Sequence, residues 1–319
     1  MDCYDQASQH AHGVGMKRIG MVGLGVMGRG IANNLLAKGF ALTVHARDAA
    51  KAEPFTASGA ASAATPADLG RQCDAVILSV SATADVEHVV FGPEGLASRP
   101  SALKYVIDTS TIAADASRMF AERLARQGIA FLDAPVSGGE KGAAEGTLAC
   151  MVGGTEDAFA ACLPVLQAFA KNITRVGDSG AGQICKACNQ IGVIANMLGV
   201  AEIVALCLKN DIDPRVVRSV LLNGSSRSAA MDTHGQRLIE RQFEPAGFRA
   251  ELMRKDLRLA IALEQASGMR GPITTVAEPL FARLVDAMQQ GQLDWSAIGT
   301  VVQQMGIDED AGADALGCG

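Results

Sequence analysis

Over the first half of the chain apolar residues come in short unbroken blocks, and over the second half they spread out at helical spacing. Arg18 to Val22, Ala41 to His45, Ala75 to Val80, Tyr105 to Ile107, Ala130 to Leu132, Leu148 to Val152 and Ile173 to Val176 each read as a strand. Val26 to Lys38, closed by Gly39, reads as a helix, as do Thr111 to Gln127 and Glu156 to Phe169. This alternation predicts an α/β domain with a doubly wound, mainly parallel sheet over residues 16–178. After Gly182 the strand signal disappears, and helical segments follow at 183–209, 214–222, about 250–267, 275–290 and 294–305, with Asp213-Pro214 and Gly271-Pro272 marking breaks. An all-α C-terminal domain over 179–306 is expected, joined to the first by its long opening helix. Residues 1–15 and 307–319 are polar or glycine-rich without periodicity, and are expected to be disordered.

Composition narrows the class. A chain of 319 residues is long enough for two cores, and 49% hydrophobic with only 19% charged residues suits an α/β enzyme. A net charge of -6 without a basic block offers no footprint for nucleic acid or a membrane surface, which leaves small molecules as partners. The eight cysteines are dispersed through apolar surroundings and read as reduced thiols in a cytoplasmic protein. Ile191 to Leu208 is apolar enough to suggest a membrane span, but Asn196 and Glu202 would be costly in lipid, so a buried helix at a domain or subunit interface is expected. Cys185 and Cys188 form a C-x-x-C inside that helix with no second pair, and His45, His88 and His234 lack ligand spacing, so no metal is expected.

Two features carry candidate chemistry. Gly23-Leu24-Gly25-Val26-Met27-Gly28 is a G-x-G-x-x-G placed between the first strand and the first helix. There the glycines serve a tight turn, close approach to a pyrophosphate, and helix-on-strand packing, with the helix N-terminus facing the anion. At the end of the second strand Ala46 occupies the position where an acidic residue would bind the ribose of NAD, and Arg47 beside it suits a 2'-phosphate, so NADP is preferred over NAD. Asp48 stays open as a ribose ligand. The second feature is Lys186, the only basic residue between Arg175 and Lys209, with Asn189 and Gln190 on its helical face at i+3 and i+4. It is either a snorkelling lysine or a desolvated proton donor.

Three further segments join these: Asp108-Thr109-Ser110-Thr111-Ile112 and Asp133-Ala134-Pro135-Val136-Ser137-Gly138-Gly139, each after a strand, and Gly182-Gln183-Ile184-Cys185-Lys186-Ala187-Cys188-Asn189 at the head of the long helix. With the Gly23 loop they closely resemble the β-hydroxyacid dehydrogenase family over about residues 17 to 305. The resemblance leans toward members acting on tartronate semialdehyde (2-hydroxy-3-oxopropionate), through the stretch SGGEKGAAEGTLACMVGG at 137–154, Asn189-Gln190, and Phe243-Glu244-Pro245 with Gly247-Phe248-Arg249 ahead of Lys255-Asp256-Leu257. Ala46 and the extra Ala246 depart from the family's pattern.

The resemblance implies a Rossmann-type N-terminal domain, Lys186 as catalytic lysine and Asn189 as its orienting partner, both also touching substrate. It implies Ser137, Gly138 and Gly139 as the substrate loop, and cofactor contacts from Gly23, Leu24, Gly25, Val26, Met27, Gly28, Arg47, Val80, Ser81 and Asp85. Thr111 and Lys255 match residues that contact cofactor or substrate, although Thr111 also reads as a helix N-cap, Lys255 as a solvated lysine and the two glycines as plain turn residues. Implied are NAD(P)H-dependent reduction of a small β-semialdehyde acid and a homodimer or homotetramer. Side chains around Asn189, Val193 and Asn196 are expected to select among tartronate semialdehyde, 3-hydroxyisobutyrate and a threonate-type sugar acid. An imine reductase and a non-catalytic NADP-binding or nucleic-acid-reading module stand as alternatives; Lys186 argues against the first, and Lys186 with the Ser-Gly-Gly loop against the second.

Overall fold

The computed structural model describes residues 16–305. The expectations for residues 1–15 and 307–319, and for Cys3 and Cys318, lie outside them. The described chain falls into two compact units, one running to Ser110 and resuming over Asp115–Ala181, the other made of Thr111–Ala114 with the residues from Gly182 on.

The first unit is α/β. Its strands are β1 (Arg18–Val22), β2 (Ala41–His45), β3 (Ala61–Ser62), β4 (Ala75–Leu78), β5 (Tyr105–Asp108), β6 (Ala130–Asp133), β7 (Val136–Ser137), β8 (Leu148–Gly153) and β9 (Ala170–Gly177). They form one sheet in the order β3-β2-β1-β4-β5-β6-β8-β7, with β9 paired to β8. Pairing is parallel from β3 through β6, whereas β8 runs antiparallel to β6 and β7. Strand order reverses between β1 and β4, which makes the loop after β1 a topological switch point, where such sheets bind ligands.

Helices α1 (Val26–Ala37), α2 (Glu53–Ala57), α3 (Pro66–Gln72), α4 (Thr83–Phe91), α5 (Ala114–Ala125), α6 (Gly139–Glu145) and α7 (Glu156–Leu166) accompany the strands. The core between them includes Ile19, Met21, Ile31, Leu35, Ile77 and Phe169. Gly30 lets α1 and α6 approach closely, because a Cβ there would stand 2.6 Å from the Ala143 backbone. Asn34 stitches the same crossing by donating to the Gly30 and Ala143 carbonyls, both at 2.8 Å.

The second unit is helical: α8 (Ala181–Lys209), α9 (Pro214–Leu221), α10 (Gly235–Glu240), α11 (Ala250–Ala266), α12 (Pro272–Ala282) and α13 (Ile298–Met305). By length and composition α8 could cross a membrane. The structure instead buries one stripe of it, Ile194, Met197, Val200, Ala201 and Val204, in a core with Phe281, Trp295 and Ile298. Asn196 and Glu202 sit on its exposed face.

Several boundaries differ from the sequence reading, each for a local reason. The strand after Ala75 stops at Leu78, and Val80 N donates to Ser110 Oγ at 2.9 Å. Helix α5 begins at Ala114 and not Thr111, because the preceding backbone is held by side chains: Ile112 N donates to Gln183 Oε1 at 3.1 Å, and Thr111 O accepts from Lys255 Nζ at 2.6 Å. Thr111 is therefore not the N-cap. Strand β9 is longer than expected, since polar residues alternate along it with one face exposed. The segment expected at 275–290 starts at Pro272 and loosens into a π turn over Arg283–Ala287. Helix α3, without an apolar period in the sequence, opens on a capping box, Thr65 Oγ1 accepting from Asp68 N at 3.2 Å and Asp68 Oδ2 from Thr65 N at 3.0 Å.

Candidate active site

The glycine loop leaves β1 and enters α1 with each glycine under a different constraint. Gly23 has φ 91°, a left-handed conformation, and a Cβ there would stand 2.1 Å from Ser79 O. At Gly28 a Cβ would stand 1.8 Å from Gly23 O, so this residue lets the helix fold back on its own turn. Gly25 is exposed, and a Cβ there would meet nothing within 4 Å. It is also the N-cap of α1, with no side chain capping the free N–H groups and no acidic residue in the first turn. A bare helix N-terminus behind open space fits a pyrophosphate, and these residues fit a dinucleotide cofactor.

Around that loop the sheet unit also gathers the positions after β4. Val80 Cγ1 would be 3.2 Å from a Cβ at Gly23, and Ser81 is exposed. The Asp85 carboxylate accepts from Ala82 N at 3.1 Å, so it caps α4. Arg47 is exposed beyond the end of β2, whereas Asp48 spends Oδ1 on Ala50 N at 3.1 Å, capping a single 3-10 turn. Ser137 ends β7, followed by Gly138 at φ 132° and Gly139 at φ 63°, both exposed and both in conformations that favour glycine. Gly138 is the N-cap of α6, again without a side-chain cap.

In the helical unit Lys186 lies on α8 with 8% of its surface exposed. Burial pushes its ammonium below the ordinary lysine range, the Asp256 carboxylate pulls it back up, and Lys255 pushes it down again. Asn189 is half-buried and donates from Nδ2 to Gln190 Oε1 at 2.8 Å. Gln190 Nε2 donates to Asp256 Oδ2 at 2.7 Å, and Lys255 Nζ stands 2.9 Å from Asp256 Oδ1 while donating to Thr111 O. Lys186, Asn189, Thr111 and Lys255 thus belong to one polar cluster between α8, α11 and the 111–114 segment. A cavity of about 20 Å³ beside Gln183, Gln190 and Asp256 has room for one water. Asn196, expected to line a pocket, is exposed and turns its amide onto Gly192 O at 2.9 Å. Among the described residues no group of three or more His, Cys, Asp or Glu is placed to hold a metal ion.

The chain matches two known families in tandem. Residues 18–177 match the NAD binding domain of 6-phosphogluconate dehydrogenase, and residues 180–302 match the NAD-binding family of NADP-dependent 3-hydroxyisobutyrate dehydrogenase. The 2-hydroxy-3-oxopropionate reductase of Escherichia coli is 38% identical over 288 residues, 90% of this chain and 98% of that protein. The 3-hydroxyisobutyrate dehydrogenase of Pseudomonas aeruginosa is 37% identical over 291 residues, 89% of this chain and 97% of that protein. The chain belongs to the β-hydroxyacid dehydrogenase family.

As a member of that family it is an NAD(P)-dependent dehydrogenase acting on the CH–OH group of a small hydroxy acid. The solved 3-hydroxyisobutyrate dehydrogenase of Mycobacterium tuberculosis with L-serine superimposes with a TM-score of 0.80 at 30% identity, covering 90% of this chain and 99% of that one. The family fold, an α/β nucleotide domain followed by a helical region, is the one described above. The pairing of Gln190 with Asp256 is not readable from the sequence, because the two meet across 66 positions of chain. The signal available was spacing alone, Gln190 lying at i+4 from Lys186.

Proposed function

We propose that this β-hydroxyacid dehydrogenase reduces tartronate semialdehyde to glycerate with NADPH, and that Lys186 is its proton donor. The observation that carries the reading is a lysine nine-tenths buried on α8, one helical turn from Asn189 and within the field of Asp256, where desolvation lowers the ammonium toward the range of a proton donor. NADPH held at the Gly23–Gly28 loop would supply the hydride. As the aldehyde carbon takes it, negative charge grows on the oxygen, and Lys186 Nζ gives that oxygen its proton. The resulting amine regains a proton from solvent, and the reverse sequence oxidises the alcohol. Ser137 Oγ with the N–H groups of Gly138 and Gly139 holds the substrate carboxylate, and Asn189 orients the ammonium or a substrate hydroxyl.

NADP is proposed over NAD because Arg47 is free at the surface while the Asp48 carboxylate is engaged as a cap. Tartronate semialdehyde is placed first on the strength of the Ser137 to Gly154 stretch and the Escherichia coli relative, with 3-hydroxyisobutyrate and a threonate-type acid behind it. A homo-oligomer is proposed from the exposed apolar face of α9. The test is loss of NADPH absorbance with tartronate, methylmalonate and succinic semialdehydes. Tartronate semialdehyde should give the highest kcat/KM, and NADPH should outperform NADH. Lys186→Ala should lower kcat at least about a hundredfold while leaving NADPH binding intact. No turnover with any of the three defeats the substrate assignment, and a smaller loss in the variant returns Lys186 to a structural role.

A further inference from the structure

We propose that the Asp256 carboxylate is a positioning residue of this site, gripping Gln190 and Lys255 so that Asn189 presents its carbonyl oxygen toward the proton donor and the substrate. The proposal rests on the reading of Lys186 as proton donor. Asp256 is 3% exposed on α11, and its two oxygens are divided between two helices: Oδ2 takes Gln190 Nε2 of α8 at 2.7 Å, and Oδ1 faces Lys255 Nζ of its own helix at 2.9 Å. Lys255 carries the link onward to Thr111 O at 2.6 Å.

An ionised carboxylate has no proton to give, so this arrangement has a direction. Gln190 must turn its NH2 toward Asp256, which turns its carbonyl toward Asn189. Asn189 must then answer with its own NH2, at 2.8 Å, and its carbonyl oxygen is left to accept from an ammonium or a substrate hydroxyl. One buried charge thereby fixes the orientation of two amides, each of which has two nearly isosteric settings. An asparagine in place of Asp256 could donate or accept, and that direction would be lost.

The same carboxylate also acts on the charge of Lys186. In the helical unit the charged groups bearing on Lys186 are Asp256 and Lys255, both on α11; the 111–114 segment brings none, and the nearest ionisable side chains on α8 are Cys185 and Cys188. Burial and Lys255 favour the neutral amine, and Asp256 favours the ammonium. A general acid is active only while protonated, so reduction falls off as pH rises through the Lys186 transition. Removing Asp256 should bring that fall to lower pH.

The experiment compares the full-length wild type with Asp256→Asn, Asp256→Glu and Lys255→Met. The basic limb of kcat for the semialdehyde at saturating NADPH is followed, together with the pH midpoint of competitive acetylation at Lys186 read by mass spectrometry. Asp256→Asn should move both at least about one pH unit lower, with kcat falling and the KM for NADPH changing less than about twofold. Asp256→Glu should restore most of the shift, and Lys255→Met should move the midpoint upward. Unchanged midpoints in a folded Asp256→Asn overturn the proposal and leave Asp256 as a helix clamp. If that variant does not fold, an unchanged midpoint in Lys255→Met overturns it equally. Acetylation reads Lys186 without turnover, so failure of the substrate assignment and failure of this proposal give different results.

Discussion

Gly25 and Gly28 stand three positions apart on one loop and differ in what a methyl group would meet. At Gly28 it would lie 1.8 Å from Gly23 O, inside backbone that cannot move without unwinding the turn. Gly28→Ala should therefore cost about 3 kcal/mol or more, seen as a large drop in Tm. At Gly25 the methyl group meets open space, and φ is -73°, which any residue adopts. Gly25→Ala should melt like the wild type yet bind NADPH about tenfold more weakly, about 1.4 kcal/mol, in a fluorescence titration. Wild-type affinity in that variant would remove the loop from the cofactor site. The contrast marks what a sequence tells at this scale. The pattern G-x-G-x-x-G names both glycines, and isolation in an apolar run names Lys186, but which atoms crowd a glycine and which carboxylate faces a lysine depend on chain brought together from afar. Asp256 was visible only as the neighbour of Lys255.

At the scale of elements, strands and long helices were legible because burial dictates their pattern, and short capped helices were not. Helices α3 and α4 open on a capping carboxylate, Asp68 and Asp85, α2 and α6 are only five and seven residues long, and β3 and β7, of two residues each, have no periodicity to read. The joint before α13 shows how much such local chemistry carries. Asp294 is fully buried; Oδ2 accepts from Gly247 N at 3.0 Å and Phe248 N at 3.3 Å, and Oδ1 accepts from Ser296 N at 3.1 Å and Ser296 Oγ at 2.6 Å. His234 and Arg237 stand 3.7 Å from Oδ1. Burial pushes this carboxylate up, but His234, Ser296 and the backbone donors together outweigh it and bring it from 3.8 down to about 2. A carboxyl whose pKa is lower folded than unfolded contributes stability above the unfolded value, and loses it as pH falls through the folded one. That contribution, roughly 2 kcal/mol, should be complete above about pH 5 and gone near pH 2. Asp294→Asn should lower stability at neutral pH by about 3 kcal/mol in urea unfolding, with a gap to wild type that narrows on acidification. A gap that stays constant from pH 6 to about pH 3 would show that the carboxylate charge does not hold this joint.

At the scale of the whole molecule the proposed self-association turns on a face that the described chain leaves uncovered. Helix α9 is amphipathic yet buries no residue, with Val216 59% exposed and Val220 65% exposed. Ile212 just before it and Leu206 at the end of α8 are exposed to 50% and 65%. A helix gains its place from an apolar stripe packed against something; here Leu221 packs against the helical core, while Val216 and Val220 face outward. Apolar side chains clustered this way mark an interaction surface, and a second copy is the partner a closed homo-oligomer supplies. In a two-fold interface each surface residue is used twice, so a single pair of charges per chain places four in the contact. Val216→Lys with Val220→Lys should convert the sedimenting species to monomer, while Tm of the dissociated chain, measured at low protein concentration, stays close to wild type at the same dilution, because these side chains leave no cavity behind. Wild-type protein sedimenting as a monomer at micromolar concentration would refute self-association. An unchanged oligomer in the double variant would move the interface away from α9.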